Sequence, residues 1–395
     1  MVYLADSNLI LVVQLFFQKA MPTHTARTRH VMKWTWITTF TLTMLFTIGM
    51  AAFAKTRPQD PQPPFPYQSV EVSYKNSKAQ GVRLGGTFVI PAGQPPFPTV
   101  LLITGSGLQD RDETIFNHRP FAVIADYLAR RGIASLRVDD RSVGKSTGDV
   151  ENATTVDFAT DVEAGIAFLK TRAEVASKGI GLIGHSEGGI IAPMVAAKPE
   201  NDVAFIILLA GTGVPGDRIL LEQQIAAAKA NGAASQTIET QRRLMETILP
   251  MIRTSNESRD ALTNRLVVTA KTIDPTVSEE EIRNRMHRLT SPWMRFFVSY
   301  DPAPTLAKVK CPVLALNGAK DVQITSQLNL TAIEQTLRQS GNQNFKTLEL
   351  AGLNHLFQTA RTGSPSEYEE IEETFSPTVL KLIANWIEQN LKRSW

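Results

Sequence analysis

Residues 100–104 (VLLIT), 205–210 (FIILLA) and 312–316 (PVLAL) are apolar runs with no alternation of polar and apolar positions. A strand with one wet face alternates, so runs like these belong to strands covered on both sides, as in a parallel sheet sandwiched by helices. Further β-type runs cover 69–74, 82–91, 133–140, 179–186 and 345–352, and the three apolar runs extend to 99–105, 204–211 and 312–318. Helical periodicity lies between them at 121–131, 156–172, 188–197, 327–338 and 378–392. This alternation predicts a doubly wound α/β sheet. One interval departs from it. Residues 217–299 carry only helical signals, with capping-box spacing at Ser278 and Glu281. A helical insertion of that length between two strands is expected to sit as a cap over the strand ends, at about 213–300.

The 179–186 run passes into Gly184-His185-Ser186-Glu187-Gly188 and then into a helix. Gly-x-Ser-x-Gly at a strand-to-helix turn holds a serine in a strained conformation with its hydroxyl above the sheet edge. The backbone N–H of Glu187, at the helix start, then points to where an oxyanion would form. A serine nucleophile needs a base. His185 lies inside the turn and faces away from its neighbour, His287 belongs to a charged cap helix, and His118 precedes the first flanking helix, where it is expected to line the site or to cap that helix. His355 follows the last strand, which suits the chain order Ser…Asp…His. Asp321, just past the strand at 312–318, supplies the acid that orients it, whereas Asp301 precedes a proline and reads as a turn initiator. The second oxyanion donor is expected in the glycine-containing loop 105–108, with Ser106 first and Gly107 or Leu108 as alternatives; Leu108 is also a candidate to line the site.

These stretches together, TGSGLQDRDE (104–113), RVDDRSVGKSTGD (137–149), GHSEGG (184–189), NGAKD (317–321) and GLNH (352–355), resemble bacterial α/β-hydrolase esterases related to the serine aminopeptidase and acylaminoacyl-peptidase branch. The resemblance runs from about residue 69 to 395. It implies an α/β-hydrolase fold with an eight-stranded, mostly parallel sheet, a helical cap and carboxylester hydrolase activity. Ser186, Asp321 and His355 fall on its nucleophile, acid and base positions. Ser142 departs from it, standing where the family usually has glycine, so the local turn there is open. Asp110, Arg111, Asp112, Glu113 and Arg141 cluster near the expected site and read as an ion-pair network bracing two loops rather than as substrate ligands.

Other motifs carry less. Gly211-x-Gly213-x-x-Gly216 has dinucleotide-fingerprint spacing, but no second strand follows with a ribose-binding acid. Gly144-Lys145-Ser146 lacks the first glycine of a phosphate loop, since position 139 is Asp139. The lone Cys311 excludes a disulfide within the chain and any CxxC site, and no His, Asp or Glu spacing suggests a metal. No cofactor is expected. Trp293, Phe296, Phe297 and Tyr300 in the cap could line an acyl pocket, although packing onto the sheet accounts for most such aromatics.

The chain has 41 Lys and Arg against 38 Asp and Glu, too balanced to draw nucleic acid. Its excess is local: residues 1–54 hold Lys19, Arg27, Arg29 and Lys33 against Asp6, and the remainder is neutral. Residues 34–53 carry no charge, follow Lys33 and end in Ala52-Phe53-Ala54, the parts of a secretory signal peptide cleaved after Ala54. A membrane anchor is the competing reading, weakened by six threonines in the stretch. Residues 1–31 are long for such a leader, so Met32 or Met21 is the expected initiator. The proline-rich residues 55–68 read as an extended tether to a domain at 69–395.

The expectation is an exported enzyme, periplasmic or secreted, that cleaves a small-molecule ester through an acyl-serine, without stable membrane association once the signal is removed. A peptidase acting on a short peptide with the same triad is the nearest rival, and a non-catalytic periplasmic binding domain a remote one.

Overall fold

The computed structural model describes residues 57–391. The signal segment, its cleavage after Ala54 and the alternative start sites lie outside them. Eight strands form one sheet: β1 (Tyr67–Lys75), β2 (Arg83–Pro91), β3 (Phe97–Ile103), β4 (Ala134–Val138), β5 (Val175–His185), β6 (Phe205–Leu209), β7 (Val313–Gly318) and β8 (Phe345–Leu350). The order is β1-β2-β4-β3-β5-β6-β7-β8. β2 pairs antiparallel with β1 and β4, and every other pair is parallel. β5 starts four residues before the expected run, because it pairs with Phe97 ahead of a register shift between Phe97 and Thr99. That irregularity interrupts the periodicity a sequence reading relies on.

The apolar runs are unbroken because the sheet has two cores. In β6, Phe205, Ile207 and Leu209 face one, and Ile206 and Leu208 the other, all at most 1% exposed. On the first side pack α1 (Pro120–Ala129), α11 (Pro377–Leu391) and the cap; on the second pack α2 (Thr155–Leu169), α3 (Gly188–Ala196) and α10 (Ser326–Gln339). Full burial of each such side chain contributes roughly 1.5–3 kcal/mol. A carboxylate at Leu208 would have no partner in that core and would break it.

The cap comprises α4 (Gly216–Ala230), α5 (Ser235–Thr254), α6 (Arg259–Ile273), α7 (Glu279–Leu289) and α8 (Pro292–Ser299), with the short α9 (Ala303–Leu306) leading back to β7. Its helices bury stripes at helical spacing, such as Leu244, Ile248 and Ile252, into the core shared with the sheet. At α7, Ser278 Oγ accepts the Glu281 N–H at 3.2 Å. The expected capping box is only half formed, since the Glu281 carboxylate turns to Arg285.

The proline-rich segment is no free tether over its described part. Arg57 is 3% exposed and donates to the carbonyls of Phe116, Glu369 and Ile371 at 2.6–2.9 Å. Gln59 accepts from the N–H groups of Thr374 and Phe375 and donates to the Phe375 carbonyl. Proline content reported the extended backbone but not these two polar anchors. Among the described residues no helix is long and apolar enough to cross a membrane.

Candidate active site

β5 runs directly into α3 through the Ser186 turn. Ser186 sits at φ +52°, in the left-handed region that side chains avoid. Two glycines make this geometry attainable. A Cβ on Gly184 would lie 2.0 Å from the Gly188 carbonyl oxygen, and one on Gly188 would lie 2.2 Å from that of Ile103. Neither position has room for a side chain, so the strained serine is held by close backbone packing on both sides. The Ser186 N–H is committed to the Leu209 carbonyl at 2.9 Å.

His355 Nδ1 lies 2.8 Å from Asp321 Oδ2, and both side chains are almost fully buried. The other Asp321 oxygen accepts the N–H groups of Gln323 and Ile324 at 2.8 and 2.9 Å, which fixes the carboxylate in the loop after β7. With Nδ1 engaged by the acid, the Nε2 atom of His355 is the one left for proton transfer. His185 links the two halves. Its Nε2 donates to the His355 carbonyl at 3.0 Å and its Nδ1 faces Glu113 Oε1 at 2.9 Å. Burial lowers the His185 pKa, but the Glu113 charge and hydrogen bond outweigh it, so the net shift is upward. His185 is thus turned away from its serine neighbour, as expected, and it ties the base loop to the elbow.

Ser106 and Glu187 both wall the chamber that holds Ser186, beneath α4 and α8 of the cap. Their backbone N–H groups donate to no acceptor among the described residues, whereas that of Gly105 is taken by Glu113 Oε1 at 2.6 Å. Two free donors beside a serine can hold a developing oxyanion. The Glu187 side chain is a separate matter. Its Oε1 accepts from Thr155 Oγ1 and from Trp293 Nε1 of the cap, each at 2.6 Å. Burial pushes this carboxyl up to about 7, against the opposing effect of those two hydrogen bonds. Of the cap aromatics, Trp293 and Phe297 stack on each other and wall the chamber, while Phe296 and Tyr300 stack away from it.

Two expectations need correction. His118 does not line the site: it is fully buried, with Nδ1 on Thr374 Oγ1 and Nε2 on the Tyr368 carbonyl, both at 2.9 Å. Both ring nitrogens are spent in holding the loop before α11. Leu108 is 47% exposed and is not among the chamber walls, because the loop turns outward after Gly107, at φ +110°. The charged cluster is tied up largely in ion pairs. Arg111 forks onto Asp139 and reaches Glu71, Arg137 meets Asp112, and Arg141 holds Asp161. Glu113 is the exception, reaching the elbow through His185. Ser142 adopts φ +62°, the conformation glycine favours, and its Oγ donates to the Gly148 carbonyl. The turn is therefore kept without glycine. The Gly211-x-Gly213-x-x-Gly216 spacing reflects packing: a Cβ on Gly213 would strike the Asn329 carbonyl and one on Gly216 that of Phe297. Among the described residues no group of three or more His, Cys, Asp or Glu side chains could hold a metal ion.

Residues 80–352 match the model of the X-Pro dipeptidyl-peptidase (S15) family. The chain belongs to this family. The matched span holds the elbow and the acid, and ends just before His355. This S15-family chain is also similar to esterase EstD of Thermotoga maritima, 26% identical over 305 residues covering 77% of the chain. That match spans 65% of the esterase's own length. Among solved structures, a hypothetical protein from Pseudomonas aeruginosa superposes with a TM-score of 0.50 at 15% identity, covering 90% of this chain and all of that one. An alpha/beta hydrolase from Penicillium, GrgF, gives 0.50 at 17% identity, covering 82% and 99%. These two likenesses speak for the fold, which is that of the α/β hydrolases.

Proposed function

We propose that this S15-family chain is a serine hydrolase that cleaves carboxylic esters through an acyl-enzyme. The observation that carries the reading is the His355–Asp321 hydrogen bond, tied through His185 to a serine strained at φ +52°. Ser186 Oγ attacks the ester carbonyl as His355 Nε2 takes its proton, and Asp321 stabilises the imidazolium without accepting that proton. The N–H groups of Glu187 and Ser106 hold the oxyanion; loss of one such donor typically lowers kcat by ~10²–10³. Collapse expels the alcohol, which receives the proton from His355. Water, deprotonated by the same imidazole, then releases the acid and restores the serine.

The similarity to an esterase favours this reading, and the family's description favours a peptidase with the same machinery. A paired assay of nitrophenyl esters and aminoacyl-anilides discriminates. Ser186→Ala should abolish turnover of a short-chain nitrophenyl ester and labelling by a fluorophosphonate; retained activity would refute the assignment. We also propose that the enzyme is exported, on the basis of the uncharged stretch 34–53 and the Ala52-Phe53-Ala54 site. N-terminal sequencing of the mature protein should read Lys55 first, and a retained leader would point to the anchored form.

A further inference from the structure

Thr212 follows β6 at the carboxyl end of the sheet and walls the Ser186 chamber. It is 3% exposed, and its hydroxyl has no hydrogen-bond partner among the described residues. A hydroxyl withdrawn from water without a partner is costly, and the rare examples in folded proteins call for an explanation. The backbone cannot shift to supply a partner, since the Gly213 N–H is held by Asn329 Oδ1 at 2.8 Å and Gly211 backs onto Gly189. A second polar group shares the chamber. Gln223, on α4 of the cap, is 5% exposed and reaches Gln323 only at 3.5 Å, the outer limit of a hydrogen bond. Gln323 is itself held in place by the Tyr368 hydroxyl at 3.0 Å.

The remaining walls include Ile219, Leu220, Met294, Phe297 and Ile324. The cavity volume is about 30 Å³, so the chamber favours a small group over a long chain. His355 is not among the walls, yet it must protonate the departing alcohol. The group seated in the chamber is therefore the acyl part, with the alcohol on the His355 side. Resting on the ester-hydrolase reading, we propose that the acyl group this enzyme selects is a short hydroxyacyl group, of lactyl or hydroxybutyryl size. Its hydroxyl pairs with Thr212 Oγ1 and the Gln223 amide. An alkyl acyl group of the same size leaves the Thr212 hydroxyl unpaired and Gln223 with only its 3.5 Å contact to Gln323, and sites of that kind discriminate strongly against the analogue lacking the hydroxyl.

Ethyl lactate and ethyl propionate differ by one hydroxyl, as do ethyl 3-hydroxybutyrate and ethyl butyrate. Proton release from each would be followed with the wild type, Thr212→Val and Thr212→Ser. The wild type should favour the hydroxyacyl member of at least one pair by tenfold or more in kcat/KM. Thr212→Val should erase that preference, costing the hydroxyacyl member at least tenfold more in kcat/KM than its alkyl partner, and Thr212→Ser should keep it. Because valine replaces an unpaired hydroxyl with a methyl, the melting temperature of Thr212→Val should equal or exceed that of the wild type. Equal losses on both members of a pair, no preference in the wild type, or a lowered melting temperature in Thr212→Val would each overturn the inference. Failure of the wild type to turn over any of these esters, or nitrophenyl esters, would overturn the hydrolase reading and this inference with it.

Discussion

Trp293 Nε1 donates to Glu187 Oε1 at 2.6 Å, so the cap is bonded to the residue that directly follows the nucleophile. The backbone N–H of that same residue is one of the two proposed oxyanion donors. Cap position and oxyanion geometry are therefore mechanically joined. Trp293→Phe keeps most of the packing against Phe297 but removes the donor. It should lower kcat/KM on esters by about tenfold, the equivalent of ~1.4 kcal/mol and within the range for one net hydrogen bond. An unchanged kcat/KM would show that the cap does not position the donor.

Glu187 also sets a pH dependence. Its carboxyl is raised by burial from an ordinary value of 4.5 to about 7, so the folded protein binds a proton that the unfolded chain has lost. Stability is full below pH 4.5, declines as pH rises between 4.5 and 7, and is then constant, a loss of roughly 3 kcal/mol. Glu187→Gln removes the ionisation. Urea denaturation at pH 5 and pH 8 should show the variant gaining on the wild type at the higher pH. A constant difference between the two pH values would contradict the assignment.

Glu113 is a second buried acid whose partners can be counted: the Gly105 N–H at 2.6 Å and His185 at 2.9 Å. Glu113→Ala leaves the Gly105 N–H and the His185 Nδ1 without their acceptor in the interior and should destabilise the protein by roughly 1–3 kcal/mol. Glu113→Gln, which still accepts from Gly105, should lose less. Equal stabilities for the two variants, measured by chemical denaturation, would mean that the charge on Glu113 is irrelevant.

Ser142 holds a glycine-type conformation at φ +62° and is compensated by its bond to the Gly148 carbonyl at 2.5 Å. Ser142→Ala keeps the strain and loses the bond, and should cost about 1 kcal/mol. Ser142→Gly relieves the strain and should recover most of that loss. A glycine variant less stable than the alanine one, by thermal melting, would sink this account.

The strand positions, the insertion and the candidacy of Ser186, Asp321 and His355 follow from patterns local in the chain. Parallel strands buried on both faces announce themselves as apolar runs, and the elbow needs its two glycines within five residues. Side-chain directions in loops carry no such periodicity, which is why His118 and Leu108 were expected at a site neither one lines. Glu113 and His185 lie 72 residues apart, and Glu187 and Trp293 106 apart. Those pairs exist only once the sheet has brought the loops together. The unpaired hydroxyl of Thr212 is equally a property of its surroundings rather than of its neighbours in sequence.

Arg57 has a bearing on where this protein can be cut. Three carbonyls, of Phe116, Glu369 and Ile371, depend on its guanidinium, and the first strand does not begin until Tyr67. An expression boundary drawn at that strand would orphan all three and release the loop that His118 also holds. A piece that keeps these three bonds starts ten residues upstream of the sheet, at an arginine that no strand or helix contains.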